Sequence, residues 1–227
     1  MKIFEFINHA SIKIVHEGST VVTDPWYMSN SFGGWYQSPS PEASQVYDIV
    51  DSCDNLAVIV SHGHDDHLDE FFIETHLSNV NFYCSKFGSP ALENRLKKLT
   101  KGNVTTLENS AHYGSMKIEQ FINPDFTHYD AIIGIKTKDF IILHANDNWH
   151  EWPASLLDKV LAFVEGYPER CIYLLIQFGV ADCFPLNYPN ISDKEMYEII
   201  ETRFVEYYKQ TQANAKNLNL KHIYYYA

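Results

Sequence analysis

The sequence predicts an α+β fold of the αββα type, in which two mixed β-sheets pack face to face and helices cover their outer faces. Strand-like segments dominate each half of the chain, and the helical segments are few and fall between groups of strands. Apolar residues make up 45% of the sequence, which is ample for a layered core. A length of 227 residues is typical of one large domain, so we expect a single domain over 1–227.

Three short strands are expected at the start of the chain, where alternating and β-branched runs are separated by turn residues such as Gly18. They span 2–7, 11–15 and 19–23, and Pro25 ends the ladder of the third strand. The next segment, 27–44, is rich in serine, glycine, proline and aromatic residues and has no periodicity. Long loops of this kind are commonly functional, so we expect an ordered loop that folds over another part of the molecule.

The apolar run 56–60 predicts a buried strand, and beyond it the chain continues with both helices and strands. Helices are predicted from residue 68, over 90–99, over 154–165, and over 192–212, where Ser192 and Glu195 can form a capping box. Further strands are predicted over 81–84, 104–107, 116–122, 131–136, 140–144, 171–176 and 223–226.

Charge and composition narrow the classes of partner. The formal net charge is −12 and basic residues form no extended cluster, which disfavours nucleic acid. No apolar run approaches the length that spans a bilayer, so a membrane partner is not expected, and Glu5 interrupts the start where a signal peptide would be continuously apolar. The four cysteines show no Cys-x-x-Cys spacing, which is typical of reduced thiols in a cytoplasmic protein. A small-molecule substrate is expected, and self-association into a homo-oligomer is left open.

The stretch Ser61–His67 follows the apolar strand directly and holds three imidazoles and two carboxylates. Borderline divalent metals favour this mixture of nitrogen and oxygen ligands. If the chain leaves the strand extended, His62 and His64 point to the same side. Asp66 and His67 then come as the chain turns into the next helix and form a second pair. The spacing predicts two neighbouring metals, against the alternative of a polar loop that is rich in histidine by chance.

The segment His62-Gly63-His64-Asp65-Asp66-His67 resembles the metal-binding motif of the metallo-β-lactamase superfamily. The opening 8–14, followed by Thr23-Asp24-Pro25-Trp26, resembles the branch that contains the L-ascorbate-6-phosphate lactonases. Asp24-Pro25-Trp26 followed by Gly33-Gly34-Trp35 also resembles part of the CMP-N-acetylneuraminate hydroxylases. The order of predicted elements matches over nearly the whole chain, so the resemblance also implies an αββα sandwich.

The resemblance implies further metal ligands in the second half of the chain. His128, just before the strand 131–136, corresponds to a third ligand histidine, and Asp147 corresponds to an aspartate that bridges both metals. The alternative for both residues is a capping or turn role. The superfamily usually supplies one more histidine after the strand 171–176, but this sequence has none there. Asp182 and Gln177 are candidate replacements; otherwise the second metal binds loosely or is missing.

Three other residues have two interpretations each. His9 corresponds to a histidine that faces the site in the lactonase branch, which implies a catalytic, ligand-orienting or substrate-contacting role, and a structural hydrogen-bonded histidine is the alternative. Asp24 either orients a ligand histidine through its second nitrogen or stabilises the Pro25 junction as an Asx turn. His144 is a candidate ligand, although a residue three positions before a loop ligand need not point inward.

The function expected from these patterns is a metal-dependent hydrolase that uses a metal-activated water. The substrate class is a small, anionic, sugar- or nucleotide-derived ester, lactone or phosphodiester, covered by the aromatic loop 27–36. Asp66, Asp147 and His9 are the predicted catalytic residues, and the cofactors are two divalent ions, zinc first, with iron or manganese as alternatives. The alternatives are a non-haem iron oxidase or hydroxylase on the same fold and a non-catalytic binding protein.

Overall fold

The computed structural model describes residues 3–122, 130–146, 152–177, 185, 188–218, 220 and 222–226. Three residues singled out from the sequence, His128, Asp147 and Asp182, lie outside these ranges. The remaining candidates belong to the described part of the chain.

The first half of the chain forms a mixed six-stranded sheet in the order β1-β2-β3-β4-β5-β6. The first three strands pair antiparallel as the predicted meander, and β3 to β6 pair parallel. Parallel neighbours need helical crossovers, and the helical segments between β3 and β6 supply them. The strands are β1 (Phe4–Asn8), β2 (Ser11–His16), β3 (Ser19–Thr23), β4 (Leu56–Val60), β5 (Asn81–Ser85) and β6 (Val104–Leu107).

The second half forms another mixed six-stranded sheet, in the order β12-β11-β10-β9-β8-β7. The strands from β7 to β10 pair antiparallel, and β10, β11 and β12 pair parallel. Its strands are β7 (Ser110–Tyr113), β8 (Met116–Ile122), β9 (Ala131–Lys136), β10 (Ile141–His144), β11 (Ile172–Gln177) and β12 (His222–Tyr226).

The described residues contain five α-helices, three in the first half and two in the second. Asp69 caps α2 by accepting a hydrogen bond from the Phe72 backbone, and Ser192 and Glu195 form the predicted capping box of α5. The helices are α1 (Ala43–Val50), α2 (Glu70–His76), α3 (Ala91–Leu99), α4 (Ala154–Val164) and α5 (Asp193–Asn217). Within the same described ranges, no helix is long and apolar enough to cross a membrane.

Alternate side chains of the strands face two different apolar layers, as the period of a strand requires. In β4, Ala57 and Ile59 face the layer between the sheets, which also contains Ile133 and Ile142 of the second sheet. Val58 and Val60 face the opposite way and pack with α2 and α3 residues such as Phe72 and Leu96. On the far side, residues of α4 pack on the second sheet. The αββα arrangement predicted from the sequence is therefore confirmed.

Two elements were missing from the sequence-based prediction. The loop predicted over 27–44 gives way to α1 at Ala43, whose Val46, Ile49 and Val50 follow helical spacing and pack on the first sheet. The strand β7 has the sequence Ser-Ala-His-Tyr, which lacks a clear apolar pattern because the strand lies at the sheet edge and pairs only with β8. The helix α5 also extends five residues beyond its predicted end at 212, since it reaches Asn217.

Candidate metal centre

The described candidate residues of the two sheets lie at one end of the sandwich. In the first sheet β1, β3 and β4 run in the same direction, so their carboxyl ends lie at the same edge. In the second sheet β10, β11 and β12 end at a common edge, where β9 begins. The two edges are joined by hydrogen bonds: His144 Nε2 donates to the Ala10 carbonyl at 2.8 Å, and Asn146 Nδ2 donates to Asp24 Oδ2 at 3.2 Å. Residues from distant parts of the sequence are thus held around one small volume.

His62 and His64 converge as the spacing predicted. Nε2 of His62 lies 2.9 Å from Nδ1 of His64, although His62 is buried and His64 is exposed. The other ring nitrogen of His62 lies 3.1 Å from Ser61 Oγ and 3.6 Å from Asp130 Oδ1. Burial, together with the neighbouring imidazoles of His67 and His64, holds the pKa of His62 well below its usual range. The ring is therefore neutral at physiological pH, which is the form that binds metals.

Asp66 and His67 form the second pair at the end of the same motif. Both are buried, and Nε2 of His67 lies 3.9 Å from Asp66 Oδ2. Burial opposes ionisation of Asp66, but the contacts with His9 and His67 outweigh it, so the pKa of Asp66 lies below its usual value. The carboxylate is therefore anionic at neutral pH and can bind a cation.

Asp24 is placed to orient His67. Its Oδ2 lies 3.5 Å from His67 Nδ1, and its Oδ1 accepts hydrogen bonds from the backbone and hydroxyl of Ser61 at 2.8 and 3.0 Å. Burial alone would raise the pKa of Asp24, but the hydrogen bond and charge of His67 lower it overall. These partners favour the ligand-orienting interpretation of Asp24 over an Asx turn at Pro25, because the carboxylate leaves Nε2 of His67 as the nitrogen that faces Asp66.

Asp65 has a different role from its neighbour Asp66. Its carboxylate pairs with Nη2 of Arg95 in α3 at 2.8 Å, and Nη1 of the same guanidinium donates to the Gly63 carbonyl at 2.6 Å. Arg95 also pairs with Glu70 of α2. One arginine therefore ties the motif loop to two helices and keeps Asp65 away from the other candidate ligands.

His9 occupies the turn between β1 and β2 with a positive φ of 43°. Its Nε2 lies 3.2 Å from Asp66 Oδ2, and its ring contacts the edges of Trp26 and His67. Ligand atoms of His9, Asp66 and His67 all lie within 4.8 Å of one another, and among the described residues they form a group that could hold a metal ion. The structure thus brings His9 into the cluster that the sequence motif predicted.

The donor set fits a divalent metal. Asp66 Oδ1 is buried and has no hydrogen-bond partner among the described residues, although buried carboxylate oxygens are normally paired. Neutral imidazoles and carboxylates are the ligands that zinc and iron bind in proteins. A cation between Asp66 and the neighbouring imidazoles would satisfy this oxygen.

A cavity of about 300 Å³ opens beside this cluster. His9 and Asp66 form part of its wall, and Trp26, Trp35 and Tyr36 contribute aromatic surface. The loop that was predicted to fold over another part of the molecule therefore lines a cavity next to the candidate metal ligands. Its size is at the lower end of the range for small-molecule sites.

Asp69 holds the start of that loop in place. Its Oδ2 accepts hydrogen bonds from the backbone N–H groups of Tyr27, Met28 and Ser29 at 3.0, 2.6 and 2.9 Å. Its Oδ1 accepts from the Ser29 hydroxyl and from the Phe72 backbone. One buried carboxylate therefore both caps α2 and fixes the entry to the aromatic loop.

The remaining candidates are less directly engaged. Nε2 of His144 is bonded to Ala10, and its ring stacks on Tyr226, so that nitrogen serves the contact between the sheets. Gln177 is buried at the carboxyl end of β11. Asp130, Asn146 and Arg95 were not predicted as site residues from the sequence. Asp130 and Asn146 lie next to the ends of predicted strands, which was the one feature that could have identified them, and Arg95 had none.

No protein-family model matches the sequence, and no curated protein sequence is significantly similar to it. The chain is similar in structure to a possible metal-dependent hydrolase from Veillonella parvula, with a TM-score of 0.59, 15% identity, and coverage of 99% of this chain and 96% of that one. It is also similar to CmlA, a diiron β-hydroxylase from Streptomyces venezuelae, with a TM-score of 0.64 and 18% identity. That match covers 99% of this chain but 44% of CmlA, so the chain spans less than half of that enzyme.

A third similar structure is the metallo-β-lactamase fold protein YhfI from Bacillus subtilis, with a TM-score of 0.50 and 14% identity. The match covers 97% of this chain and 89% of YhfI. Together with the two mixed sheets and their outer helices, these likenesses assign the metallo-β-lactamase fold to this chain.

Proposed function

We propose that the protein is a metal-dependent hydrolase of small esters, lactones or phosphodiesters. The observation that carries the proposal is the convergence of His62, His64, Asp66 and His67 beside an aromatic cavity, with a buried carboxylate oxygen that lacks a partner among the described residues. The similar structure from Veillonella parvula, described as a possible metal-dependent hydrolase, supports the same reaction class.

Two divalent metals, with zinc as the first candidate, are the proposed cofactors. His62 and His64 would hold one metal, and Asp66 and His67 the other. His128 is proposed as a third histidine ligand and Asp147 as the carboxylate shared by both metals. The described residues nearest to them in the sequence, Asp130 and Asn146, contact His62 and Asp24. A bound divalent metal supplies a Lewis acid and lowers the pKa of a coordinated water towards neutrality.

The chain's own residues prepare the site for that chemistry. Asp24 holds the His67 ring so that Nε2 faces the centre. Asp66 is anionic and can accept a proton from an attacking water as well as bind a metal. The aromatic wall offers flat surfaces to a substrate ring.

The cavity also bears on the substrate. The described residues that line it include no lysine or arginine, whereas Asn8, Gln37 and Ser38 offer polar groups. An anionic sugar- or nucleotide-derived substrate would place its ring against the aromatic wall, and its charged or carbonyl oxygen would depend on the metals, because no described lining residue is lysine or arginine. We keep this substrate class as part of the proposal.

The proposal is tested by hydrolysis of generic phosphodiester, ester and lactone probes. Asp66→Ala should reduce kcat by at least about 100-fold, because it removes a metal ligand and a proton acceptor. Asp65→Asn is the matched control and should retain activity, since Asp65 pairs with Arg95. Equal activity in wild type and Asp66→Ala would overturn the assignment.

The alternative of a non-haem iron oxidase or hydroxylase has one supporting observation, the structural likeness to the diiron enzyme CmlA. Protein purified without added metal distinguishes the two functions. Zinc or manganese together with probe hydrolysis supports the hydrolase. Iron with a visible absorption band and no probe hydrolysis would favour the oxidative alternative.

A further inference from the structure

We propose that His9 is a protein ligand of the second metal, together with Asp66 and His67. This inference rests on the proposed function and goes beyond it by naming a further ligand of the second metal, the one proposed to bind to Asp66 and His67. The sequence offers no histidine between the end of β11 and His222, so a nitrogen ligand for this metal must come from elsewhere. The turn between β1 and β2 brings one to the site.

The separation of His9 and Asp66 matches that between two ligands of one cation, and His67 lies close to the same carboxylate. With metal–ligand bonds of about 2.1 Å, two ligand atoms lie about 3.0 Å apart at right angles and about 3.4 Å apart in a tetrahedron. Nε2 of His9 and Oδ2 of Asp66 are separated by 3.2 Å, which falls between these values. Nε2 of His67 lies 3.9 Å from the same carboxylate oxygen. Each of the three residues has a ligand atom that lies within 4.8 Å of the ligand atoms of the other two.

The backbone of His9 directs the ring inward. A positive φ is uncommon for residues other than glycine, although histidine, like asparagine and aspartate, adopts it more often than most, and His9 has a φ of 43° in a turn of two residues between two strands. A turn at the end of a sheet normally leaves its side chain in solvent, but only 14% of the His9 side chain is exposed. Backbone strain that buries a polar ring points to a function for the ring rather than to the turn alone.

The surroundings of the ring leave its Nε2 for a ligand. Trp26 packs against the ring at 5.3 Å between centroids and 82° between planes, and His67 packs at 5.2 Å and 70°. These two edge contacts fix the orientation of the imidazole. Nε2 is buried and has no hydrogen bond to any described residue, despite its closeness to Asp66 Oδ2. Nε2 of His9 and Oδ1 of Asp66 are both buried without a hydrogen bond to a described residue, and a cation shared by the two side chains would satisfy both atoms.

The test counts metals in protein reconstituted with Co²⁺, which also reports its ligands by visible absorption. Wild type should bind two equivalents, and His9→Gly should bind one, because His62 and His64 remain. Glycine suits the positive φ, so this variant keeps the turn. Added imidazole should restore the second equivalent and its absorption band in His9→Gly. His112→Ala, which removes an exposed histidine of β7, is the matched control and should bind two.

The outcomes separate the failure of this inference from the failure of the proposed function. Two equivalents in both wild type and His9→Gly would overturn the role of His9 and leave the hydrolase intact. One equivalent in wild type would also overturn it. No metal in wild type would overturn both. If His9→Gly does not fold, as judged by circular dichroism, His9→Asn replaces it, since asparagine also tolerates positive φ, and the same loss of one equivalent is expected.

Discussion

Asp24 links the two sheets and one candidate ligand through a single buried carboxylate. It contacts Ser61 and His67 of the motif stretch and Asn146 after β10, so it joins two distant segments of the chain. Residues that orient a ligand histidine through its second nitrogen commonly change metal affinity without binding the metal themselves. In the proposed metal centre Asp24 would be a positioning residue, and its effect should appear in metal affinity.

Asp24→Asn should weaken binding of the second metal by about 10- to 100-fold, because asparagine keeps the shape but loses the charge that holds the His67 ring. Competition against a chelating dye measures the affinity. Asp65→Asn is the control, because that carboxylate lies in the same loop but pairs with Arg95. Equal affinities in the two variants would show that Asp24 does not orient a ligand.

Asp69 should control stability rather than chemistry. Its carboxylate accepts bonds from Tyr27, Met28, Ser29 and Phe72, and asparagine would turn an N–H₂ group towards some of these donors. We expect Asp69→Asn to lower the free energy of unfolding by about 2–4 kcal/mol. Urea denaturation measures it, with exposed Glu74→Gln in the same helix as the control. A loss no larger than that of the control would contradict this role.

The same residue has a defined pH dependence. Burial opposes ionisation, but the hydrogen bonds from Ser29, Met28 and Phe72 outweigh it, so the folded-state pKa of Asp69 is lowered. A lowered folded-state pKa gives stability that is present above the unfolded-state pKa of about 3.9 and is lost as the pH falls through the folded-state value. The stability difference between wild type and Asp69→Asn should therefore be largest near neutral pH and shrink below about pH 4.

The positions of some motif residues were predictable from their types and spacing alone. The spacing of His62, His64, Asp66 and His67 was enough to predict their convergence. The sequence alone does not show which of the adjacent carboxylates, Asp65 or Asp66, belongs to the metal site. Their different roles depend on Arg95, thirty residues further on, which pairs with Asp65. The placement of His9 depends on a positive φ, and the presence of a histidine in the sequence does not predict that backbone conformation.

At the scale of elements, Gly134 lets α4 approach the second sheet. A Cβ at this position of β9 would lie 2.7 Å from the Phe163 ring of α4 and 2.9 Å from the Phe121 ring of β8. Those two rings already pack edge to face, with centroids 5.3 Å apart. The missing side chain is therefore a packing requirement between a strand and a helix.

Gly134→Ala should lower the free energy of unfolding by about 1–3 kcal/mol, because the added methyl group overpacks this contact. Gly88→Ala is the matched control, since a Cβ there meets no atom within 4 Å. Denaturant midpoints of the two variants make the comparison. An unchanged midpoint for Gly134→Ala would mean that the two rings move aside without cost.

Elements were predictable where the local sequence carried a clear signal. The continuous apolar run of β4 and the capping box at the start of α5 are two examples. The edge strand β7 has exposed and half-buried residues and one neighbour, so tertiary pairing rather than local pattern determines it. The helix α1 is eight residues long and follows a loop rich in proline and serine, which obscured its apolar spacing.

At the scale of the whole molecule, two mixed sheets bring the carboxyl ends of several strands, β3, β4 and β10 among them, to one end of the sandwich. The sequence predicted the layers, because groups of strands and intervening helices have few ways to bury their apolar faces. It also predicted that the aromatic loop 27–36 covers the site, but it did not predict that Asp69 anchors the start of this loop. The two sheets thus position the candidate ligands at their common edge, and the aromatic loop forms a wall of the cavity beside them.

The central claim is that this edge binds divalent metal for hydrolysis. Elemental analysis of purified protein, expressed as metal equivalents per chain, tests it most directly. Two equivalents are predicted for wild type, with a loss in His62→Ala and Asp66→Ala, because each variant removes a buried ligand at a different half of the centre. Wild-type protein that carries no more metal than these two variants, after incubation with zinc, manganese or iron, would contradict the account.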